Sequence, residues 1–214
     1  MSKSELPKLE NRSYLFEVRA EKTETGAKIT GRPIVFDSKT DLGWFDEIIE
    51  KNALDKADLS DVRFLVNHDL SKIPLARSRK GANGNTMRLL VDEKGLLIEV
   101  DLDIENNTEA KNLYSAVSRG DITGMSFMFG IRDETWEDLD TEHPTRRIKE
   151  ISSVIEVSAV TFPAYQDTEI SARCKETLEN VRKVVETARS KGAPSAEADE
   201  IEVLKLKIRA KRRI

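Results

Sequence analysis

The chain has 214 residues, 38% hydrophobic and 35% charged, which supports one domain of ordinary size with charge-rich segments beside it. Its 35 basic and 39 acidic residues leave a net charge of −4, against the strongly basic face that a nucleic-acid-binding domain needs. A single cysteine, Cys174, excludes an intrachain disulfide, and two histidines, His68 and His143, are too few for a His/Cys zinc site. No metal or other cofactor is expected. The N-terminus has no signal-peptide pattern, and no apolar run approaches the ~20 residues of a membrane span. The expectation is a soluble intracellular protein with neither a nucleic-acid nor a membrane partner.

Residues 1–12 are polar and expected to be flexible. Ser13 to Ala20 reads as a strand with Tyr14, Phe16 and Val18 on one face, and Lys22 to Gly26 as a turn. Ala27 to Phe36 resumes strand character, with Gly31 and Pro33 marking a bulge or bend. Trp44 to Ile49 is apolar and acidic, and Glu50 to Leu59 reads as a short helix. Asp61 to Asp69 is a strand whose alternation puts Val62, Phe64, Val66 and His68 on one face. Ile73 to Ser78 is extended. Thr86 to Val91 and Leu96 to Ile104 form a hairpin across the turn Asp92-Glu93-Lys94-Gly95.

Asn107 is placed to cap a helix in which Ala110, Leu113, Tyr114 and Val117 form one apolar stripe, and Gly120 is placed to end it. Gly120 to Gly130 follows as a strand. Thr123, Met125, Phe127 and Phe129 share its apolar face; Gly124, Ser126, Met128 and Gly130 share the other. Asp133 to Thr145 reads as an exposed acidic loop or hairpin tip. Arg146 to Ile151 and Val154 to Phe162 are two further strands, the second with Val154, Glu156, Ser158 and Val160 on one face. Beyond Ile170, Cys174, Leu178, Val181, Val185 and Ala188 make a heptad-like helical seam. Gly192 to Ser195 breaks it, and a second helical stretch ends in Arg209, Lys211, Arg212 and Arg213. These boundaries give a flexible N-terminus at 1–12, a domain at 13–172 and a helical tail at 173–214.

Three polar residues stand out against this pattern. Ser126 is a lone hydroxyl between glycines that let backbone or substrate approach. Taken alone it reads as an ordinary strand serine; as a nucleophile it needs a base, and the base needs an orienting group. His68 is the candidate base. Glu156 interrupts an apolar strand where a buried side chain is expected, and an unpaired buried carboxylate is costly. Its partner is His68, or else Arg146, Arg147 or Lys149 in a purely structural pair. Ser158 shares its face, where it is a candidate supporting hydroxyl beside Glu156 and also the runner-up nucleophile.

The segments Phe64 to Asp69, Asp121 to Phe129 and Ile155 to Tyr165 resemble the three signature blocks of the tailed-phage prohead (capsid maturation) proteases of the HK97 type. Their candidate residues lie roughly 60 and 30 residues apart. The likeness covers about Ser13 to Ile170. It implies an α+β fold like that of the herpesvirus assemblins, a mainly antiparallel β-barrel with surrounding helices, to which this chain adds its helical C-terminal tail. It also implies a serine endopeptidase with Ser126 as nucleophile, His68 as base and Glu156 as the orienting carboxylate. In the assemblins a second histidine takes the third place, which keeps His143 as an alternative. Arg77 and Arg147 are candidates for the oxyanion site. The implied task is cleavage of the scaffolding part of a phage major capsid protein, and of the protease itself, inside the assembling procapsid in the host cytoplasm. The capsid protein or its scaffolding segment is the implied partner, with self-association of the protease as a further expectation. The rival readings are a non-enzymatic scaffolding or assembly protein that retains the fold, and a generic intracellular hydrolase.

Overall fold

The computed structural model describes residues 9–14, 18–23, 26–43, 45–161 and 183. The element order is β1 (Leu9–Tyr14), β2 (Val18–Thr23), β3 (Gly26–Val35), β4 (Lys39–Asp41), β5 (Asp46–Ile49), β6 (Asp61–Val66), β7 (Ala76–Arg79), β8 (Met87–Asp92), β9 (Gly95–Leu102), α1 (Thr108–Arg119), β10 (Gly124–Glu137) and β11 (Thr145–Val160). Two long strands organise the chain. β10 and β11 form an antiparallel hairpin, and β1 pairs with the outer edge of β10. The opposite edge of β11 takes two short parallel partners in succession, β5 along 145–148 and β6 along 156–159. β4 pairs with β5 and β7 with β6, which completes a seven-stranded sheet. The second sheet has the order β2-β3-β9-β8. All pairs are antiparallel except the two that β11 makes with β5 and β6.

The main core lies between the sheets. Met125, Phe127, Phe129, Val157 and Phe64 from one meet Ile29, Ile34, Leu96, Ile98 and Val100 from the other. α1 adds Ala110, Leu113 and Val117 to this cluster and contacts β2, β3 and β9. Its ends match the sequence expectation. Asn107 Oδ1 accepts from the N–H groups of Glu109 (2.9 Å) and Ala110 (3.2 Å), and Gly120 closes the helix at φ +78°.

Six expectations need correction. The sheets do not close into a barrel. Closure needs one continuous register around the sheet, but β11 is longer than either parallel partner, so the seven-stranded sheet forks along its edge. The sheets approach at β7, where the Thr86 N–H donates to the Arg77 carbonyl (3.2 Å), yet β7 and β8 form no ladder. α1 is also the one complete helix among the described residues, so helices do not surround the sheets. Residues 50–59 form turns rather than a helix. Asn52 takes φ +73°, and the segment's backbone is drawn to β11 through Ile151 N–H to Ala53 O (2.8 Å) and Asp58 N–H to Ser152 O (2.9 Å). β1 starts at Leu9, within the stretch read as flexible, because Arg12 is buried in ion pairs. The supposed acidic loop from 133 is mostly strand; β10 runs to Glu137, where Trp136 packs on Phe45 at 5.1 Å between ring centroids.

The sixth correction bears on the site. β11 is one strand, and its register with β10 shifts between Met128, opposite Glu156, and Phe129, opposite Val154. Ile155 is left unpaired as a bulge. Val154 therefore joins the core, and Glu156 and Ser158 share the opposite face with Ser126. The expected helical tail at 173–214, with Cys174 and the basic cluster from Arg209 to Arg213, lies outside the described residues, apart from Lys183. Among the described residues no helix is long and apolar enough to cross a membrane.

Candidate active site

Four neighbouring strands build the site, in the order β6, β11, β10, β1. Ser126 stands near the start of β10, opposite Ser158 of β11, and Glu156 lies one position further along the same face, opposite Met128. His68 arrives by another route. Had β6 continued, alternation would have put His68 on the core face with Val62 and Phe64. Instead β6 ends at Val66, and Asn67 (φ +52°) and His68 (φ +58°) both adopt the left-handed conformation. This pair of residues carries the imidazole to the face of Ser126 and Glu156. Asn67 holds the turn, since its Oδ1 accepts from Thr161 N–H (2.9 Å), its Nδ2 donates to Thr161 Oγ1 (3.2 Å), and its own N–H donates to Ala159 O (2.9 Å). Asparagine tolerates this backbone better than most residues, at modest cost.

The imidazole bridges the other two side chains. Nδ1 lies 2.5 Å from Glu156 Oε1, and Nε2 is hydrogen-bonded to Ser126 Oγ. Ser126 Oγ also donates to the Arg12 carbonyl at 2.7 Å. One hydroxyl proton thus has two acceptors in reach. If it goes to Nε2, Nδ1 carries the ring proton toward Glu156. If it goes to the Arg12 carbonyl, Nε2–H donates to Oγ instead. Ser158 Oγ donates to Glu156 Oε2 (2.5 Å) and accepts from the His68 backbone N–H (3.1 Å). Ser126, Glu156 and Ser158 are all 0% exposed, whereas the His68 side chain is 16% exposed. The ring is the part of the constellation that meets solvent.

The alternatives fall elsewhere. Arg146 pairs with Glu10, Glu47 and Glu134, and Arg147 with Glu137, so neither takes the structural pairing with Glu156. Arg147 is eleven residues along β11 from Ser158, roughly 35 Å of strand. Arg77 stands opposite Arg63 on β7, three strands from β10, and its guanidinium forks onto Asp61 at 2.6 Å, a hydrogen bond that holds the Asp61 carboxyl below its ordinary range. Neither arginine reaches Ser126. His143 sits at the far end of the β10–β11 hairpin, 3.1 Å from Asp46 Oδ1 and 3.6 Å from Asp41 Oδ1. Burial pushes the Asp46 carboxyl up, but hydrogen bonds from Lys39 and His143 outweigh it and hold it low. Asp41, Asp46 and His143 offer ligand atoms within 4.8 Å of one another, but Lys39 already occupies Asp46, which opposes a metal there.

A reading of the sequence missed two partners. The Arg12 carbonyl is a backbone group revealed by strand pairing alone. Asn67 carried a signal, since Asn-His-Asp directly after a strand is turn chemistry.

Chemically, the arrangement offers a hydroxyl beside an imidazole whose other nitrogen faces a buried carboxylate. The family model described as caudovirus prohead serine protease matches residues 15–184. Among solved structures, the capsid assembly protease gp21 of bacteriophage T4 aligns over 73% of this chain and 99% of its own, at 10% identity and a TM-score of 0.42. A search of curated proteins found no match.

Proposed function

The chain belongs to the caudovirus prohead serine protease family, and from that premise we propose that it is a Ser-His-Glu endopeptidase. It cleaves the scaffolding part of the phage major capsid protein, and itself, within the assembling procapsid. The observation that carries this reading is the His68 ring bridging Ser126 and Glu156.

The geometry supports a familiar division of labour. Ser126 Oγ attacks the scissile carbonyl carbon as its proton passes to His68 Nε2. Glu156 holds Nδ1–H and stabilises the imidazolium that results. The C–N bond breaks as Nε2 gives that proton to the departing amine. A water then enters. It loses a proton to Nε2 as its oxygen attacks the acyl carbon, and the ester bond to Ser126 breaks as the proton returns to Oγ. Backbone N–H groups, not Arg77 or Arg147, are the donors left to meet the oxyanion.

The test is co-expression with the capsid protein. Ser126→Ala is expected to abolish processing of both the capsid protein and the protease itself, with assembly of unprocessed shells unaffected. Continued processing by the variant would remove Ser126 from the role. Unaltered capsid protein beside the wild type would favour the scaffolding reading.

A further inference from the structure

Ser158 touches both ends of the apparatus that orients His68. It lies two residues beyond Glu156 on the same strand face, which is why its hydroxyl can reach back to Oε2. The same oxygen accepts the N–H of His68, a residue ninety positions away in sequence. The hydroxyl is thus used in both senses, as donor to the carboxylate and as acceptor for the turn, and it is fully buried.

We infer that Ser158 is a positioning residue for the peptidase, and this rests on the reading given above. Its donation fixes Glu156 so that Oε1 faces Nδ1. Its acceptance ties the left-handed turn at Asn67 and His68 to β11. The two bonds set the ring's height and rotation over Ser126 from opposite sides, one through the carboxylate and one through the backbone. The runner-up role as nucleophile does not fit, because the Ser158 proton is committed to Glu156 and Nε2 faces Ser126. Removing the hydroxyl would leave the buried Oε2 without this donor and the half-buried His68 amide without this acceptor. A misplacement of about 1 Å in a catalytic group can cost about 100-fold in rate.

The experiment compares wild type, Ser158→Ala and Ser158→Thr on a peptide spanning a scaffold cleavage site. It has three readouts: steady-state kinetics, labelling of Ser126 by a fluorophosphonate, and the far-downfield proton resonance of a histidine Nδ1–H bound to carboxylate. Ser158→Ala is expected to lower kcat about 10- to 100-fold with KM within about twofold, to slow labelling in proportion, and to broaden or remove the resonance. Ser158→Thr, which keeps the hydroxyl, is expected to restore most of the rate. A packing role would not distinguish Thr from Ala in this way. Wild-type kcat and an unchanged resonance in Ser158→Ala would overturn the inference, as would equal losses in both variants. If Ser158→Ala fails to fold, Ser158→Cys, which keeps the volume and weakens both bonds, carries the same expectation. Failure of the peptidase reading looks different: the wild type itself neither cleaves the peptide nor labels at Ser126, while the resonance and its dependence on Ser158 remain measurable.

Discussion

Arg12 belongs to two buried polar regions at once. Its guanidinium enters a cluster on the core side of the seven-stranded sheet, where it meets Glu47 through two bonds (2.5 and 2.9 Å) and Glu10 through a third (2.6 Å). Arg146 completes the cluster with Glu10, Glu47 and Glu134. Its carbonyl touches Ser126 on the other side. The two regions bury charge in opposite ways. In the cluster every guanidinium is held by several carboxylates. Burial would lower the Arg12 pKa, but the pull of Glu47 and Glu10 outweighs it and holds the pKa above its ordinary value. No proton has reason to move there. In the site a single carboxylate faces a ring that can gain or lose a proton, beside a hydroxyl with two acceptors. Buried charge that keeps the fold together is paired several times over; buried charge placed for chemistry meets a group that can change state.

The sharpest way to break this contrast is Glu156→Gln. It should lower kcat by about 10⁴-fold, because the ring loses the charge that stabilises its protonated form, while the denaturation midpoint moves little. A stability loss instead of a rate loss would place Glu156 in the structural class with Glu47. The mirror experiment is Glu47→Ala, which leaves Arg12 without its two-point partner. Breaking a buried pair from one side costs about 3–5 kcal/mol, to be read from guanidinium denaturation, with kcat of the folded protein changed far less than by Glu156→Gln.

A weaker effect comes from an ion pair at the rim of the second sheet. Arg32 forks onto Asp92 at 2.6 and 2.7 Å, and that hydrogen bonding lowers the Asp92 carboxyl to about 2 from an ordinary 3.8. A depressed carboxylate contributes stability that is present above the unfolded value and is lost as pH falls toward the folded one. Denaturation midpoints should therefore fall between pH about 4 and about 2, and Asp92→Asn should flatten that part of the curve without altering turnover at neutral pH. The smallest effect is expected from His143→Ala, with kcat within about twofold of wild type, because the ring faces Asp46 and Asp41 at the far hairpin end. A loss like that of Glu156→Gln would transfer the third place to His143.

Local chemistry was legible in the sequence wherever it acted locally. The caps at Asn107 and Gly120, the turn at Asp92 to Gly95 and the polar face of Ser126 all follow from residues a few positions apart. Glu156 was visible as a misplaced charge. Three features were not legible. The bulge at Ile155 changes which side Val154 takes, and alternation alone cannot register an extra residue. β1 is polar and is held by Arg12 pairing with Glu47, thirty-five residues away, a contact with no periodic signature. The left-handed turn at Asn67 reversed the face of His68, so the ring lies beside Ser126 by a geometry that strand alternation does not predict.

That turn makes the site a matter of parity. The imidazole of His68 reaches Ser126 across two left-handed residues that follow the last paired residue of β6. Insertions in the loop from 69 to 75 leave that count unchanged and are tolerable. Adding or deleting one residue between Val66 and His68 changes it from even to odd and is expected to swing the imidazole away from the hydroxyl, with Ser126, His68 and Glu156 all still present.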